Sequence, residues 1–160
     1  MLISEILNTI EYKSTIKDID IKRVTSRPDL IEKDTLFVFI MGINFDTRKI
    51  IKDIISKEPS VIVADVDLPQ FHNIAVIKVS NARYAYARMM WNFCRIEYDK
   101  SKFYAVTGTN GKTTTATMLY NIFSYAKIKC GFIGTGKIII EGELVSDENY
   151  SMTTPDPELL

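Results

Sequence analysis

Gly108-Thr109-Asn110-Gly111-Lys112-Thr113 is the run in this chain whose residue types and spacing can do chemistry. Glycines let backbone N–H groups approach an anion closely. A helix beginning at the same place adds its unpaired N–H groups and the positive end of its dipole. Lys112 stands where it would reach the β- and γ-phosphates of a nucleotide as a point charge. Thr113 would place its hydroxyl on Mg2+. The run departs from the general G-x-x-x-x-G-K-[ST] pattern, because Val106 stands five residues before Gly111. Its context supplies what the pattern lacks. Apolar Phe103-Tyr104-Ala105-Val106 precedes it as a strand, and Met118, Leu119, Ile122, Phe123 and Ala126 follow on one helix face. A glycine turn with no ligand would not need Gly-Lys-Thr at the helix start.

The other candidates are weaker by residue type alone. Ser26 and Arg27 lie in a proline turn, Ser26-Arg27-Pro28-Asp29, where capping by serine and a solvated arginine are ordinary turn chemistry. Asn44 and Asp46 follow an apolar strand, where polar loop residues are expected anyway. His72 is the one histidine, in a polar loop with no serine, cysteine or carboxylate motif around it, so a surface role is expected. No spacing of His, Cys, Asp or Glu resembles a zinc site.

Positioning these residues requires a framework, and the periodicities predict one. A short helix is expected at about 2–9, a strand at 19–24 and a strand from Thr35 to Ile40. Ile50, Ile51, Ile54 and Ile55 give a helix with one apolar face, within about 47–57, stopped by Glu58-Pro59-Ser60. Strands Val61–Ala64 and Ile74–Val79 follow, then a helix over 81–97 faced by Ala82, Tyr86, Met89, Phe93 and Ile96. That alternation predicts an α/β fold. The polar run Glu97-Tyr98-Asp99-Lys100-Ser101-Lys102 is the expected boundary between a domain at 1–98, with its own core, and a second at 102–160. Beyond the Lys112 helix, strands Cys130–Ile133 and Ile138–Ile140 are expected, with Gly134 and Gly136 between them.

Composition narrows the classes of function. The chain has 160 residues, 46% hydrophobic and 25% charged, with 20 Lys+Arg balancing 20 Asp+Glu. That is globular composition, long enough for a core without metal or disulfide staples. Neutral charge with no basic block argues against a nucleic-acid partner. The longest near-continuous apolar stretch, Leu36 to Ile43, is under half the length of a membrane-spanning helix, so no membrane association is expected. The start, Met1-Leu2-Ile3-Ser4-Glu5, has an acid where a signal peptide has basic residues, which points to the cytoplasm. Cys94 and Cys130 are expected as two free, buried thiols.

Thr107-Gly108-Thr109-Asn110-Gly111-Lys112-Thr113-Thr114 resembles the ATP loop of the Mur ligases, which is likewise shorter than the general phosphate loop and is shared by folate polyglutamate ligases. Further motifs resemble one Mur branch, which adds a diamino acid to UDP-N-acetylmuramoyl-dipeptide in peptidoglycan synthesis. These are Thr25-Ser26-Arg27, then Leu36-Phe37-Val38 running to Gly42 with Asp46 beyond, Gly134-Thr135-Gly136, and Thr153-Thr154-Pro155. The pattern departs where Thr25 stands for the family's usual Asp, Thr47 for Gly, and Met152 for a polar residue.

The resemblance implies a small α/β UDP-substrate domain followed by the start of an ATP-binding parallel-sheet domain. It implies ATP and Mg2+ as cofactors and a UDP-N-acetylmuramoyl-peptide as partner. It assigns Gly108, Thr109, Asn110, Gly111, Lys112, Thr113 and Thr114 to ATP, with Lys112 catalytic and Thr113 on the metal. Ser26, Asn44, Asp46, Thr153 and Thr154 fall to the UDP-sugar peptide. The activity it implies is ATP-dependent amide-bond formation through an acyl phosphate. Thr154 reads as an N-cap, Pro155 as the first helical position, and Asp156 and Glu158 as first-turn acids, so a helix is announced near the end. The expectation is therefore an amino-terminal part of such a ligase, lacking the later domains and unable to complete ligation alone. A non-catalytic UDP-sugar or nucleotide-binding module and an unrelated phosphate-loop NTPase are the alternatives.

Overall fold

The strand Thr35–Phe39 is buried at every position, which is what a central strand covered on both sides requires. In the computed structural model, which describes residues 1–14, 16–41, 51–97, 100, 102–145 and 158, this strand is an interior strand of a five-stranded sheet. The chain divides into two compact units, Met1–Ile96 and Glu97–Leu160.

The first unit runs α1 (Ile3–Ile6), β1 (Tyr12–Lys13), β2 (Arg23–Thr25), a 3-10 turn (Pro28–Leu30), β3 (Thr35–Phe39), α2 (Ile51–Ser56), β4 (Val61–Ala64), β5 (Ala75–Val79) and α3 (Ala82–Phe93). The sheet order is β1-β5-β4-β3-β2. Strands β2 to β5 are parallel, and only the short edge strand β1 is antiparallel, Lys13 lying opposite Lys78.

Alternation along the strands sends side chains to two cores. Leu36 and Val38 of β3 join Val61 and Val63 of β4 on one face, packed with Ile3 and Ile6 of α1 and with Ala82, Ala85, Tyr86 and Met89 of α3. Phe37 and Phe39 join Ile62 and Ala64 on the other face, with Ile54 of α2 and Ile74. Each fully buried large apolar side chain contributes about 1.5–3 kcal/mol, so these two layers hold the unit together. Helix α3 is capped twice at its start: Asn81 accepts the Tyr84 N–H at 2.9 Å and Asp65 accepts the Ala82 N–H at 3.1 Å. It ends at Phe93 rather than 97. Arg95 adopts φ 52°, and the Ile96 N–H returns to the Trp91 carbonyl at 3.2 Å, closing the helix in a Schellman-type turn. Asn92 ties α3 to the end of α1, donating to the Ile6 and Asn8 carbonyls at 2.9 Å each.

The second unit contains α4 (Lys112–Tyr125), β6 (Gly131–Gly134), β7 (Lys137–Ile140) and β8 (Glu143–Leu144). Its described strands pair antiparallel in the order β6-β7-β8, so the parallel sheet expected here is not formed among the described residues. Gly136 (φ 80°) permits the two-residue reversal between β6 and β7. Glu141 (φ 48°) and Gly142 (φ 92°) make the next reversal with both φ values positive, the hairpin geometry that suits strand twist.

Residues 103–106 are not a strand, contrary to the expectation. A strand needs burial and a regular backbone ladder to be worth forming, and here Phe103 and Tyr104 stand 65% and 67% exposed. The thiols are free but not buried: Cys94 lies in the turn that ends α3 and is exposed, and Cys130, before β6, is partly exposed. No described helix is long and apolar enough to cross a membrane. Asn44, Asp46, Thr153, Thr154 and the helix start at Pro155 lie outside the described residues.

Candidate functional site

The glycine–lysine run forms the entry to α4. Gly111 is the N-cap residue with φ 77° and ψ −1°, a left-handed conformation that glycine adopts without steric cost. A Cβ there would meet nothing within 4 Å, so the requirement is conformational. The first intrahelical bond runs from the Thr115 N–H to the Gly111 carbonyl at 2.9 Å. The N–H groups of Lys112, Thr113 and Thr114 therefore lie in the first turn, which has no intrahelical acceptor to offer them. No acidic side chain occupies that turn to neutralise the dipole.

The Lys112 ammonium braces the loop, donating to the Gly108 carbonyl at 2.7 Å and the Thr109 carbonyl at 3.3 Å. Gly108 itself sits at φ 152°. Thr107, Gly108, Thr109, Asn110, Gly111, Thr113 and Thr114 are all exposed. The arrangement is an exposed run of backbone around one cation at a helix N-terminus, a form that can receive a phosphate. Such residues could hold a nucleotide's phosphates, and the exposed Thr113 hydroxyl could reach a metal ion. Mg2+ needs only one or two protein oxygens when phosphates supply others.

In the first unit, Ser26 follows directly on β2 at the carboxyl end of the parallel sheet, where ligands of open α/β sheets bind. The turn around it is closely bonded. Thr25 Oγ1 accepts the Arg27 N–H at 3.0 Å, the Arg27 carbonyl accepts the Leu30 N–H at 3.1 Å, and Lys57 Nζ donates to the Pro28 carbonyl at 2.6 Å. Arg27 pairs with Asp29 at 2.7 Å. Its guanidinium, hydrogen-bonded to Asp29, holds that carboxyl below its ordinary range, against a smaller opposing effect of burial. At the far end of the crossover Lys22 lowers Asp34 in the same way, and its own ammonium is raised in turn.

The structure thus brings the loop residues together at the α4 entry in the second unit and places Ser26 in the first. His72 is exposed, as expected for a surface residue. Thr25 and Thr35 are the buried polar residues among those described, each 0% exposed; the sequence marked Thr25 only as a departure from the family pattern and Thr35 only as a strand start. Their signal was a threonine at the carboxyl end of one apolar strand and another at the start of the next.

The chain is an α/β protein with a Gly-Lys-Thr loop opening a helix. Its residues 106–158 match the Mur ligase middle domain. Over 142 residues it is 33% identical to the UDP-N-acetylmuramoyl-L-alanyl-D-glutamate--2,6-diaminopimelate ligase of Cytophaga hutchinsonii, an alignment covering 87% of this chain and 28% of that protein. The 2,6-diaminopimelate ligase of Clostridioides difficile is 37% identical over 150 residues, 94% of this chain and 30% of the relative. That of Bacteroides thetaiotaomicron is 33% identical over 161 aligned positions, 98% and 33% of the two chains. The chain therefore spans about a third of the length of these relatives. Among solved structures, the UDP-N-acetylmuramoylalanyl-D-glutamyl-2,6-diaminopimelate--D-alanyl-D-alanyl ligase of Acinetobacter baumannii superposes with TM-score 0.54 at 22% identity, over 76% of this chain and 27% of that one, which is a likeness of fold. These likenesses count against the reading as an unrelated phosphate-loop NTPase.

Proposed function

We propose that this chain contributes the UDP-substrate domain and the ATP loop of an ATP-dependent amide-bond ligase. Its substrates in this reading are UDP-N-acetylmuramoyl-L-alanyl-D-glutamate and a diamino acid of the 2,6-diaminopimelate kind, after the names of its relatives. The observation that carries the reading is the Gly108–Thr113 loop at the N-terminus of α4, braced by Lys112, inside a segment that matches the Mur ligase middle domain.

In such a ligase a substrate carboxylate takes the γ-phosphoryl group of ATP to become an acyl phosphate, and an amine then displaces phosphate. The work asked of this chain is positioning and charge neutralisation. The first-turn N–H groups of α4 orient the phosphates. The Lys112 ammonium, already fixed over the loop, offsets negative charge that grows on the transferring group. Thr113 offers its hydroxyl to Mg2+, which draws charge off the phosphate oxygens when bound. Thr109, Asn110 and Thr114 complete the nucleotide side of the site. Ser26 takes the uridine end of the other substrate, with Asn44, Asp46, Thr153 and Thr154 assigned to the same substrate from the sequence.

The test is calorimetric titration of the 160-residue polypeptide with ATP and Mg2+. Measurable binding is expected, and Lys112→Ala should weaken it by at least about tenfold, the loss of a charge-assisted contact. Equal affinity of the two proteins overturns the assignment of the loop. At about a third of its relatives' length, the polypeptide is expected to bind without turning over UDP-N-acetylmuramoyl-dipeptide and a diamino acid. Release of phosphate and tripeptide at ordinary enzyme rates would refute that expectation while securing the ligase reading. Binding of neither substrate would favour neither half of it.

A further inference from the structure

The crossover from β2 to β3 is fastened at both ends by a buried hydroxyl. Thr25 and Thr35 are each 0% exposed, in strands whose other buried side chains are apolar. Neither hydroxyl reaches solvent, so each must find a partner inside, because an unpartnered buried hydroxyl is costly. Each accepts a backbone N–H from the crossover itself. Thr25 Oγ1 takes the Arg27 N–H at 3.0 Å, two residues on, and Thr35 Oγ1 takes the Glu32 N–H at 3.1 Å, three residues back. Between these clamps the backbone is bonded again, from Leu30 to Arg27 at 3.1 Å and from Thr35 N to the Glu32 carbonyl at 3.2 Å. Ser26 lies inside the first clamp and carries no side-chain hydrogen bond among the described residues.

From this geometry we infer that Thr25 is a positioning residue for the UDP end of the substrate. Its hydroxyl closes a side-chain-mediated turn over residues 25–27 and so fixes the direction in which half-buried Ser26 presents its own hydroxyl, while Thr35 holds the other end of the segment still. The inference rests on the proposed role of Ser26. A turn closed from a buried strand end is rigid before ligand arrives, so no ordering of the loop is charged against binding. A hydroxyl is not special for the task. A short carboxylate at position 25 accepts the same N–H two residues on, as Asx-turns do.

The experiment compares the unaltered 160-residue protein with Thr25→Val, Thr25→Ser and Ser26→Ala. Amide exchange at Arg27 reads the clamp, titration with UDP-N-acetylmuramoyl-L-alanyl-D-glutamate reads the consequence, and thermal denaturation reads global stability. Thr25→Val is expected to speed exchange at Arg27 and to weaken ligand binding by about three- to tenfold, the worth of one hydrogen bond. Thr25→Ser should restore both, and Ser26→Ala should weaken binding without touching exchange at Arg27. If Thr25→Val leaves binding at the unaltered level, the positioning role is overturned and the reading of Ser26 survives. If Ser26→Ala also binds normally, or the unaltered protein has no affinity for this ligand, the reading of Ser26 falls and the inference with it. Should Thr25→Val prove too unstable to titrate, Thr25→Ala and Thr35→Val carry the same comparison, and unchanged exchange at Arg27 in Thr25→Ala overturns the clamp directly.

Discussion

Gly111 shows how one residue can be required for its backbone alone. With φ 77° and open space where a Cβ would stand, Gly111→Ala meets no clash but forces a left-handed alanine, at about 1–2 kcal/mol. The expected result is a distorted loop on an intact helix. Far-UV circular dichroism should be nearly unchanged while affinity for ATP and Mg2+ falls; unchanged affinity would show that the loop tolerates another entry to α4. Arg27 and Asp29 offer a second test. Because the folded carboxyl lies below its ordinary value, the pair contributes stability above the unfolded pKa of Asp29, and the contribution is lost as pH falls through the lowered folded value. Both side chains are more than half exposed, so salt screens the effect and its size is small. Carbon-13 titration of Asp29 should move up towards the ordinary carboxylate range in Arg27→Ala, and a pKa that stays put would assign the shift to something else.

At the scale of elements, the two units are built by different means. Helix α3 is held by a buried face, a double cap and a closing turn, so Met89→Ala should cost about 2–5 kcal/mol of first-unit stability, as cavities in packed cores do. The β6–β7 hairpin depends on a smaller device. A Cβ at Gly134 would lie 2.5 Å from the Phe132 ring, which packs edge-on to Tyr120 and lies under the Lys137 ammonium. Gly134→Ala must push that ring aside, at about 1–3 kcal/mol. Faster amide exchange across Gly131–Gly134 and Lys137–Ile140 is expected, and unaltered exchange would mean the ring has somewhere to go. The segment at 103–106 makes the complementary point: apolar, β-favouring residue types do not by themselves make a strand.

Over the whole molecule, nearly all of the described buried side chains belong to Met1–Ile96; in the second unit they are Phe132 and Ile138. Helix α4 has none, and Met118, Ile122 and Tyr125 stand 60%, 61% and 93% exposed. Protection from hydrogen exchange should follow burial. Amides of β3 and β4 are expected to exchange only through global unfolding of the first unit, and those of α4 orders of magnitude faster. Equal protection in both units would show that the exposed apolar face is covered in solution.

The α/β layout, the buried strands of the first unit and the loop at the head of α4 were legible in the sequence because each rests on a local rule. Val61–Ala64 and the isoleucine face of α2 declare themselves by unbroken or periodic apolar residues, and Gly-Lys-Thr declares a helix start that must receive an anion. The family likeness was legible for the same reason, since it is carried by short motifs in a fixed order. What only the tertiary structure decided depends on neighbours distant in the chain. Whether Phe103–Val106 pairs, where α3 stops, whether Cys94 is covered, and which hydroxyls are shut in at Thr25 and Thr35 all follow from what packs against them. Hydrogen-bond satisfaction and burial are properties of the assembled layers, and a residue's own type does not contain them.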